Sequence, residues 1–159
     1  MDPDSPDTER VIREGQEAAR AKGVQLAILK AASENEIGVA FASAVRLHAD
    51  ALLAGSDPLF ASRSNQLVAL ALRHHIPTIY EWSYFAIAGG LISYGASLAG
   101  VYRQLGSYTG RILKGAKSSD LPVQQPTTFE LVVNLRTAKA LGMTVPQSIL
   151  AGADQVIRT

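Results

Sequence analysis

Short apolar runs that alternate with helix-forming segments are the feature that most constrains the fold of this chain. These runs occupy residues 24–30, 50–56, 76–80, 91–94 and 129–134. Because they are apolar on both faces, they are typical of strands in a parallel sheet that helices cover on each side. The sequence therefore predicts an α/β fold, doubly wound around a mainly parallel sheet in the flavodoxin-like manner.

Helix start and stop signals lie on both sides of the first of these runs. Ser5 and Pro6 form an N-cap followed by proline at the first helical position, which predicts a helix that ends at Gly23. Ser33 and Glu36 have the spacing of a capping box, which predicts a second helix. The buried face of this second helix is predicted to consist of Ile37, Ala40, Phe41, Ala44 and Val45.

Later segments carry the same kinds of signal. Asp57 and Pro58 predict the start of a helix that reaches about residue 75. A long helix is predicted after Ser97, with Gly115 as its C-terminal cap. Its apolar stripe, predicted to be core or half-buried surface, consists of Leu98, Val101, Tyr102, Leu105, Tyr108, Ile112 and Leu113. An extended connection at 116–128, the strand 129–134 and two short helices at 136–141 and 146–157 complete the prediction.

Composition excludes several classes of function. Fifteen Lys and Arg residues face fourteen Asp and Glu residues, so charge gives no reason to expect binding to nucleic acid or to an anionic membrane. Cysteine is absent, which excludes disulfides and thiolate-ligated metals. No run approaches the roughly 20 apolar residues of a membrane span. No phosphate-binding glycine loop is present, so no cofactor is predicted.

Polar and aromatic residues follow the carboxyl ends of the predicted strands. The candidate ligand-binding residues are Ser56, Asp57, Glu81, Trp82, Tyr84, Ser93 and Tyr94. In open α/β sheets ligands bind in the crevice outside these strand ends. Carboxylates, hydroxyls, an indole and phenol rings suit a small polar, zwitterionic solute with an apolar or aromatic part. Three of them also have a structural explanation: Asp57 as a helix cap, Glu81 as a solvated charge and Trp82 as a packing residue.

Catalytic and metal sites have weaker support. The segment 95–99 approaches the nucleophile elbow of α/β-hydrolases, with Ser97 as the nucleophile. All three histidines precede Ser97, the reverse of the chain order in that fold, so an esterase-like hydrolase is a remote alternative and a cap is the preferred role. His74 and His75 are adjacent and point to different sides of a helix, with no metal-binding partners nearby. The sequence therefore predicts no catalytic residue and no metal ligand.

The start of the sequence predicts an incomplete sheet. A doubly wound sheet normally begins with a strand that feeds the first helix, whereas here a turn and a helix come first. In a flavodoxin-like strand order that first strand is central, and its loss leaves unpaired edges. We therefore expect either a fragment or a chain that completes its sheet with a partner, for which a homodimer is one solution.

A set of short stretches in a fixed order carries a family resemblance. They occupy residues 50–53, 56–58, 75–80, 89–95, 112–116, 121–126, 129–142, 145–150 and 153–154. In this order and spacing, across nearly the whole chain, they resemble the substrate-binding proteins of bacterial ABC transporters, in the family that includes tryptophan-type and other amino-acid-type binding lipoproteins. The resemblance implies a non-enzymatic, two-lobed protein that traps a small solute, such as an amino acid, between its lobes and passes it to a membrane permease.

The resemblance also implies a domain arrangement and a location. Residues 1–120 are similar to the second lobe, and residues 121–159 to the C-terminal segment that crosses between lobes. Asp57, Glu81 and the pair Ser93 and Tyr94 match positions where the family's second lobe faces the cleft. The family is periplasmic, but the acidic first residues are not an export signal, so a genuine short form would be cytoplasmic. The alternative function is a cytosolic, oligomeric α/β domain with a structural or regulatory role.

Overall fold

The computed structural model of the protein describes residues 8–158, and the predicted cap at Ser5 and Pro6 lies outside this range. The chain divides into two compact units, one up to Thr78 and one from Ile79 onward. Within the described range the strands, which follow the same order in the sheet as along the chain, are β1 Leu52–Leu53, β2 Thr78–Tyr80, β3 Ile92–Ala96, β4 Phe129–Asn134 and β5 Gln155–Ile157. Parallel pairing joins β2 to β3 and β4 to β5, while β3 and β4 are antiparallel. The mixed α/β fold with a mostly parallel sheet is therefore confirmed.

Helices connect the strands. They are α1 Thr8–Lys22, α2 Glu34–Arg46, α3 Pro58–Ser62, α4 Ser64–Arg73, α5 Ser83–Ile87, α6 Leu98–Leu113, α7 Leu135–Ala140 and α8 Gln147–Ala151. A short 3-10 turn covers Ser118–Asp120. The predicted end of the first helix at Gly23 is confirmed, and the positive φ of 67° there is a conformation that glycine adopts without strain.

The capping box of α2 forms, except that the Glu36 carboxylate bonds to the amide of Ala32 and not to that of the N-cap residue Ser33. Ser33 Oγ accepts a hydrogen bond from the Glu36 amide at 3.3 Å, and the Glu36 carboxylate accepts one from the amide of Ala32 at 2.9 Å. The predicted core positions Ile37, Phe41 and Ala44 are buried. Val45 was predicted to be buried and is 44% exposed, because it lies at the rim of the apolar face, one residue beyond Ala44.

The single helix predicted from Asp57 to about residue 75 is wrong, because Arg63 interrupts it. The Asp57 carboxylate caps α3 as predicted, accepting from the Leu59 amide at 2.7 Å. Arg63 leaves the helical region, with φ −112° and ψ 24°, and its guanidinium pairs with Glu34 of α2 at 2.8 Å. The break therefore turns the arginine toward a neighbouring helix and divides the segment into α3 and α4.

The apolar run 24–30 does not form the predicted strand. Residues 24–27 are exposed, and the exposed fractions of Val24 and Leu26 are 60% and 43%. A strand is stabilised by backbone hydrogen bonds to a neighbouring strand. Among the described residues β1 is the last strand on its side of the sheet, so this run is not part of the described sheet. The predicted strand 50–56 is also reduced to the two residues of β1.

The core of the unit from Ile79 onward is built where α5 packs on β3 and β4. The ring of Phe85 stacks on Tyr80, with centroids 4.7 Å apart. The buried side chain of Asn134 donates to the Ala86 carbonyl at 3.0 Å and accepts from the amides of Arg136 and Thr137. One asparagine therefore ties α5 to the end of β4 and caps α7.

The helix α6 differs from its prediction in burial. None of its residues is buried, and the exposed fractions of Tyr102, Leu105 and Leu113 are 64%, 54% and 82%. The stripe predicted as core or half-buried surface is therefore largely exposed, because α6 has no extensive packing partner within its own unit. Both caps are confirmed: Ser97 Oγ accepts from the Gly100 amide, and Gly115 has a φ of 98°.

The last predicted helix ends early and a strand replaces its second half. The helix α8 stops at Ala151, and β5 then pairs with β4. Asp154, just before this strand, links it to β4: its amide donates to the Leu131 carbonyl at 2.9 Å and its carboxylate accepts from the Leu131 amide at 2.8 Å. The prediction of a helix over 146–157 was wrong beyond Ala151, because the sequence near β5 does not reveal pairing with a strand as distant as β4.

Candidate functional site

The centre of the candidate site is Gly95, near the end of β3. A Cβ at this position would lie 2.2 Å from the carbonyl oxygen and 2.8 Å from the Cγ of Glu81, the residue that follows β2. Glycine is therefore required for the close approach of the two segments. On the other side of β3, Glu130 of β4 is the register partner of Gly95, so its side chain leaves the sheet on the face toward which a Cβ at 95 would point. Two carboxylate side chains thus flank one glycine.

Ser97 fixes one of these carboxylates. Its hydroxyl donates to Glu130 Oε1 at 2.5 Å, and Ser97 Oγ also accepts a hydrogen bond from the Gly100 amide at 3.3 Å. The Ser97 amide donates to the carbonyl of Thr128, just before β4. Ser97 is 5% exposed, so a buried hydroxyl orients Glu130 and caps α6 at once. This placement explains Ser97 as a cap and a positioning residue, the role preferred over that of a hydrolase nucleophile.

Tyr84 lies beside the Glu81 carboxylate. Burial of the phenol, and next the negative charge of Glu81, raise the pKa of Tyr84 above its usual 10.0. The phenol therefore keeps its proton at neutral pH and offers a hydrogen-bond donor next to a carboxylate acceptor. Its ring stacks on Phe85 with centroids 4.8 Å apart, which anchors it to the core.

Trp82 stands between these two residues at the start of α5. It is the N-cap residue of that helix, with an extended backbone and no capping bond from its side chain. The indole is half-buried. It therefore supplies an apolar surface on the same loop as Glu81 and Tyr84.

Ser93 is buried on the face of β3 that Gly95 shares, and Tyr94 lies on the other face. Ser93 has no exposed surface, and its hydroxyl has no hydrogen-bond partner among the described residues. Tyr94 points to the opposite face of the sheet from Gly95, because successive side chains of a strand alternate. Its ring is 56% exposed and stacks on Phe129, with centroids 5.9 Å apart. Ser93 therefore offers no surface to a solute, and Tyr94 lies away from the Glu81 group.

Ser56 and Asp57 lie in the unit that ends at Thr78. Ser56 is exposed, whereas Asp57 is 9% exposed. One oxygen of the Asp57 carboxylate is used to cap α3. Asp57 therefore caps a helix, which was the structural explanation given for it beside ligand binding.

Glu130 is the site residue that the sequence analysis missed. Ligand-binding residues were expected only at the carboxyl ends of strands in a parallel sheet. Because β4 runs antiparallel to β3, its first residues lie at the same edge as the last residues of β3. The only sequence signal was an acidic residue at the start of an apolar run, which by itself indicates nothing about pairing.

Neither a metal-binding cluster nor a membrane-spanning helix is found in the described part of the chain. Residues 8–158 contain no group of three or more His, Asp or Glu side chains placed to hold a metal ion. Over the same residues, no helix has both the length and the apolar character needed to cross a bilayer.

Solved structures with the same fold come from several bacteria. A conserved domain protein from Vibrio cholerae O1 biovar El Tor is 22% identical, with a TM-score of 0.87 over 98% of this chain and 52% of that chain. An ABC domain in complex with L-Trp from Streptococcus pneumoniae is 26% identical, with a TM-score of 0.85 over 98% of this chain and 54% of that chain. The open, ligand-free substrate-binding protein CD0873 from Clostridium difficile is 24% identical, with a TM-score of 0.68 over 99% and 52%.

The chain therefore spans about half the length of each of these structures. No curated protein matches the sequence significantly. The sequence profile described as "ABC transporter substrate binding protein" matches residues 2–157, which is almost the whole chain. This family binds solutes and is not a class of enzymes. The chain belongs to the ABC transporter substrate-binding protein family.

Proposed function

We propose that this chain forms one lobe of the solute-binding component of an ABC importer and that its solute carries an amino group, as amino acids do. The observation that carries the proposal is the pair of carboxylates, Glu81 and Glu130, on either side of Gly95. A similar protein of known structure, 26% identical, was solved in complex with L-Trp, which supports an amino acid as the solute.

The chemistry of the group suits an amino acid. An ammonium group has three donors, and charge-assisted hydrogen bonds to carboxylates are about twice as strong as neutral ones. Glu81 and Glu130 are the proposed acceptors, and Ser97 holds Glu130 in place. The protonated phenol of Tyr84 is the proposed donor to the carboxylate of the solute, and the indole of Trp82 covers its apolar part.

The wider assignment follows the family. Residues 1–120 are proposed as the α/β lobe and residues 121–159 as the segment that crosses to the other lobe. Hinge closure then brings the other lobe over the solute, which passes to the permease. Ser56 and Asp57 remain proposed ligand-binding residues of their own unit, whereas the burial of Ser93 and the orientation of Tyr94 argue against direct contact of either with the solute. Family members are normally periplasmic or extracellular, and we propose the same for this protein.

An amide NMR titration of the chain tests the site. The probes are L-tryptophan and a panel of other L-amino acids, because NMR detects the weak binding expected of one lobe. The proposal expects the largest shifts at the amides of Trp82, Gly95 and Ser97. Shifts confined to other residues would overturn the site, and no shift with any amino acid would overturn the solute class.

Paired variants make the test specific. Glu81→Gln and Glu130→Gln remove one charge each at nearly constant size, and both are expected to weaken binding at least about tenfold. Glu17→Gln removes an exposed carboxylate of α1 and is expected to bind as the parent does. Equal binding by all three variants would contradict the role of the two carboxylates.

A further inference from the structure

The connection from α6 to β4 runs back along the helix. The strap, residues 121–128, makes this connection without a helix or strand of its own. The Tyr108 hydroxyl donates to the Pro122 carbonyl at 2.5 Å, and the side-chain amide of Gln104 donates to Gln124 Oε1 at 2.8 Å. Both donors are half-buried side chains of α6. The strap therefore lies against one face of this helix.

A third bond holds the strap at the opposite end of α6. There the Ser97 amide donates to the Thr128 carbonyl at 2.9 Å. Positions 97, 104 and 108 share one face of the helix, because their spacings of seven and four residues are close to whole turns. From Ser97 to Tyr108 the helix rises about 17 Å, and an extended chain from Pro122 to Thr128 spans about 19 Å. The strap thus follows α6 in the opposite direction over most of the helix.

Two prolines make the strap stiff. Pro122 and Pro126 each hold their own φ near about −65° and bias the preceding residue toward extended backbone. Leu121 has this conformation, with φ −91° and ψ 123°. A semi-rigid segment transmits a displacement from one end to the other, whereas a flexible one absorbs it. The way in which α6 holds the strap therefore affects where the strap ends, at Thr128.

The strap ends at the proposed solute site. Thr128 is two residues before Glu130, and Ser97 bonds to both of them. The Ser97 amide donates to the Thr128 carbonyl, and the Ser97 hydroxyl donates to Glu130 Oε1. A shift of Thr128 relative to Ser97 changes the geometry at the carboxylate, because a hydrogen bond weakens steeply when its angle or distance departs from the optimum. The strap thus connects the far part of α6 to one carboxylate of the site.

We propose that Tyr108 and Gln104 are positioning residues for the solute: they hold the strap along α6 and so keep Glu130 oriented toward the amino group. This inference rests on the proposed function, because it concerns the same pair of carboxylates. Neither residue is assigned a contact with the solute, since each acts through the strap. If the two bonds only stabilised α6 locally, their loss would loosen the helix near Tyr108 and leave Ser97 unchanged.

Hydrogen exchange followed by NMR separates these two roles. Tyr108→Phe removes only the hydroxyl and its bond, and Tyr102→Phe, on the same helix and 64% exposed, is the matched control. The buried Asn134 amide, which donates to the Leu91 carbonyl, reports unfolding of the core. We expect the Ser97 amide to exchange at least about threefold faster relative to Asn134 in Tyr108→Phe, and at the parent ratio in Tyr102→Phe. Faster exchange confined to the residues around position 108 would overturn the proposal.

A comparison of two solutes tests the effect on binding. The probes are L-tryptophan and indole-3-propionate, which lacks the amino group. Tyr108→Phe and Gln104→Leu are each expected to reduce the preference for L-tryptophan at least about threefold. The double variant Gln104→Lys with Gln124→Glu allows a bond between the same two positions and is expected to keep the parent preference.

The outcomes distinguish this inference from the proposed function. A parent that showed no preference for L-tryptophan would overturn the proposed function and this inference with it. A preference that the parent shows and that Tyr108→Phe and Gln104→Leu both keep in full would overturn this inference alone.

Discussion

Glu81 and Gly95 approach so closely that a side chain at position 95 would lie 2.2 Å from the Glu81 carbonyl oxygen. The contact joins the loop after β2 to the end of β3, and Glu130 lies across from the same glycine. The shape of the candidate site therefore depends on one missing Cβ.

Gly95→Ala is expected to destabilise the protein by about 1–3 kcal/mol, because the backbone of Glu81 must move to admit the methyl group. Urea unfolding measures the loss. Gly106→Ala is the matched control, since a Cβ there meets nothing within 4 Å, and it is expected to stabilise α6 by about 0.5–1 kcal/mol. Equal stability of the two variants would contradict the contact.

Glu81→Gln is expected to lower the pKa of Tyr84 toward 10.0, because the negative charge of Glu81 is the second cause that raises it. Part of the shift remains, since burial is the larger cause. A pH titration followed by NMR of labelled tyrosine rings measures the change, and Glu17→Gln serves as the control. A pKa of Tyr84 that is the same in both variants would contradict the proximity of the two groups.

The raised pKa of Tyr84 also predicts the direction of a pH effect on stability. A phenol whose pKa is higher in the folded protein than in the unfolded chain binds its proton more tightly when folded. Its contribution is therefore fully present below pH 10.0 and is lost as pH rises through the higher folded value. Tyr84→Phe is expected to reduce the alkaline loss of stability, and an unchanged profile in urea unfolding would contradict this.

Ser97→Ala is expected to cost about 0.5–2 kcal/mol, because it removes the N-cap of α6 and the hydrogen bond to Glu130. Ser107→Ala, in the exposed middle of the same helix, is the control and is expected to change stability by less than about 0.5 kcal/mol. Thermal unfolding monitored by circular dichroism compares the two. If Ser97→Ala lost no more stability than Ser107→Ala, the prediction that Ser97 stabilises the fold would be wrong.

Asn134→Ala is expected to cost at least about 2 kcal/mol. The change removes the cap of α7 and the side-chain donor to the Ala86 carbonyl, which keeps its backbone bond from the Gly89 amide. Asn35→Ala, on the exposed first turn of α2, is the control and should be nearly neutral. If urea unfolding gave similar midpoints for both variants, the link between α5 and β4 would not be stabilising.

The sequence predicted the features that depend on near neighbours. The caps at Ser33, Asp57, Ser97 and Gly115 all formed, because each involves amides or carbonyls within a few residues. The strand 129–134 was predicted with its bounds, since its composition and its flanking signals agree. The family resemblance was also confirmed, over residues 2–157.

Features that depend on distant pairing were missed. The run 24–30 has the composition of a strand but forms no strand in the described part of the chain, and Asp154 bonds to Leu131 of β4 just before β5. The antiparallel direction of β4 brought Glu130 to Gly95, and the alternation of β3 turned Tyr94 to the other face. Composition cannot report which strands become neighbours, and this relation decides which side chains meet.

The proposed site makes its sharpest prediction about the amino group of the solute. Calorimetric titrations of the parent and of the double variant Glu81→Gln with Glu130→Gln would compare L-tryptophan with indole-3-propionate, which has the same ring and carboxylate but no amino group. We expect the parent to prefer L-tryptophan by at least about tenfold, and the double variant to lose that preference. A double variant that kept the full preference would show that these carboxylates do not bind the ammonium group and would contradict the account.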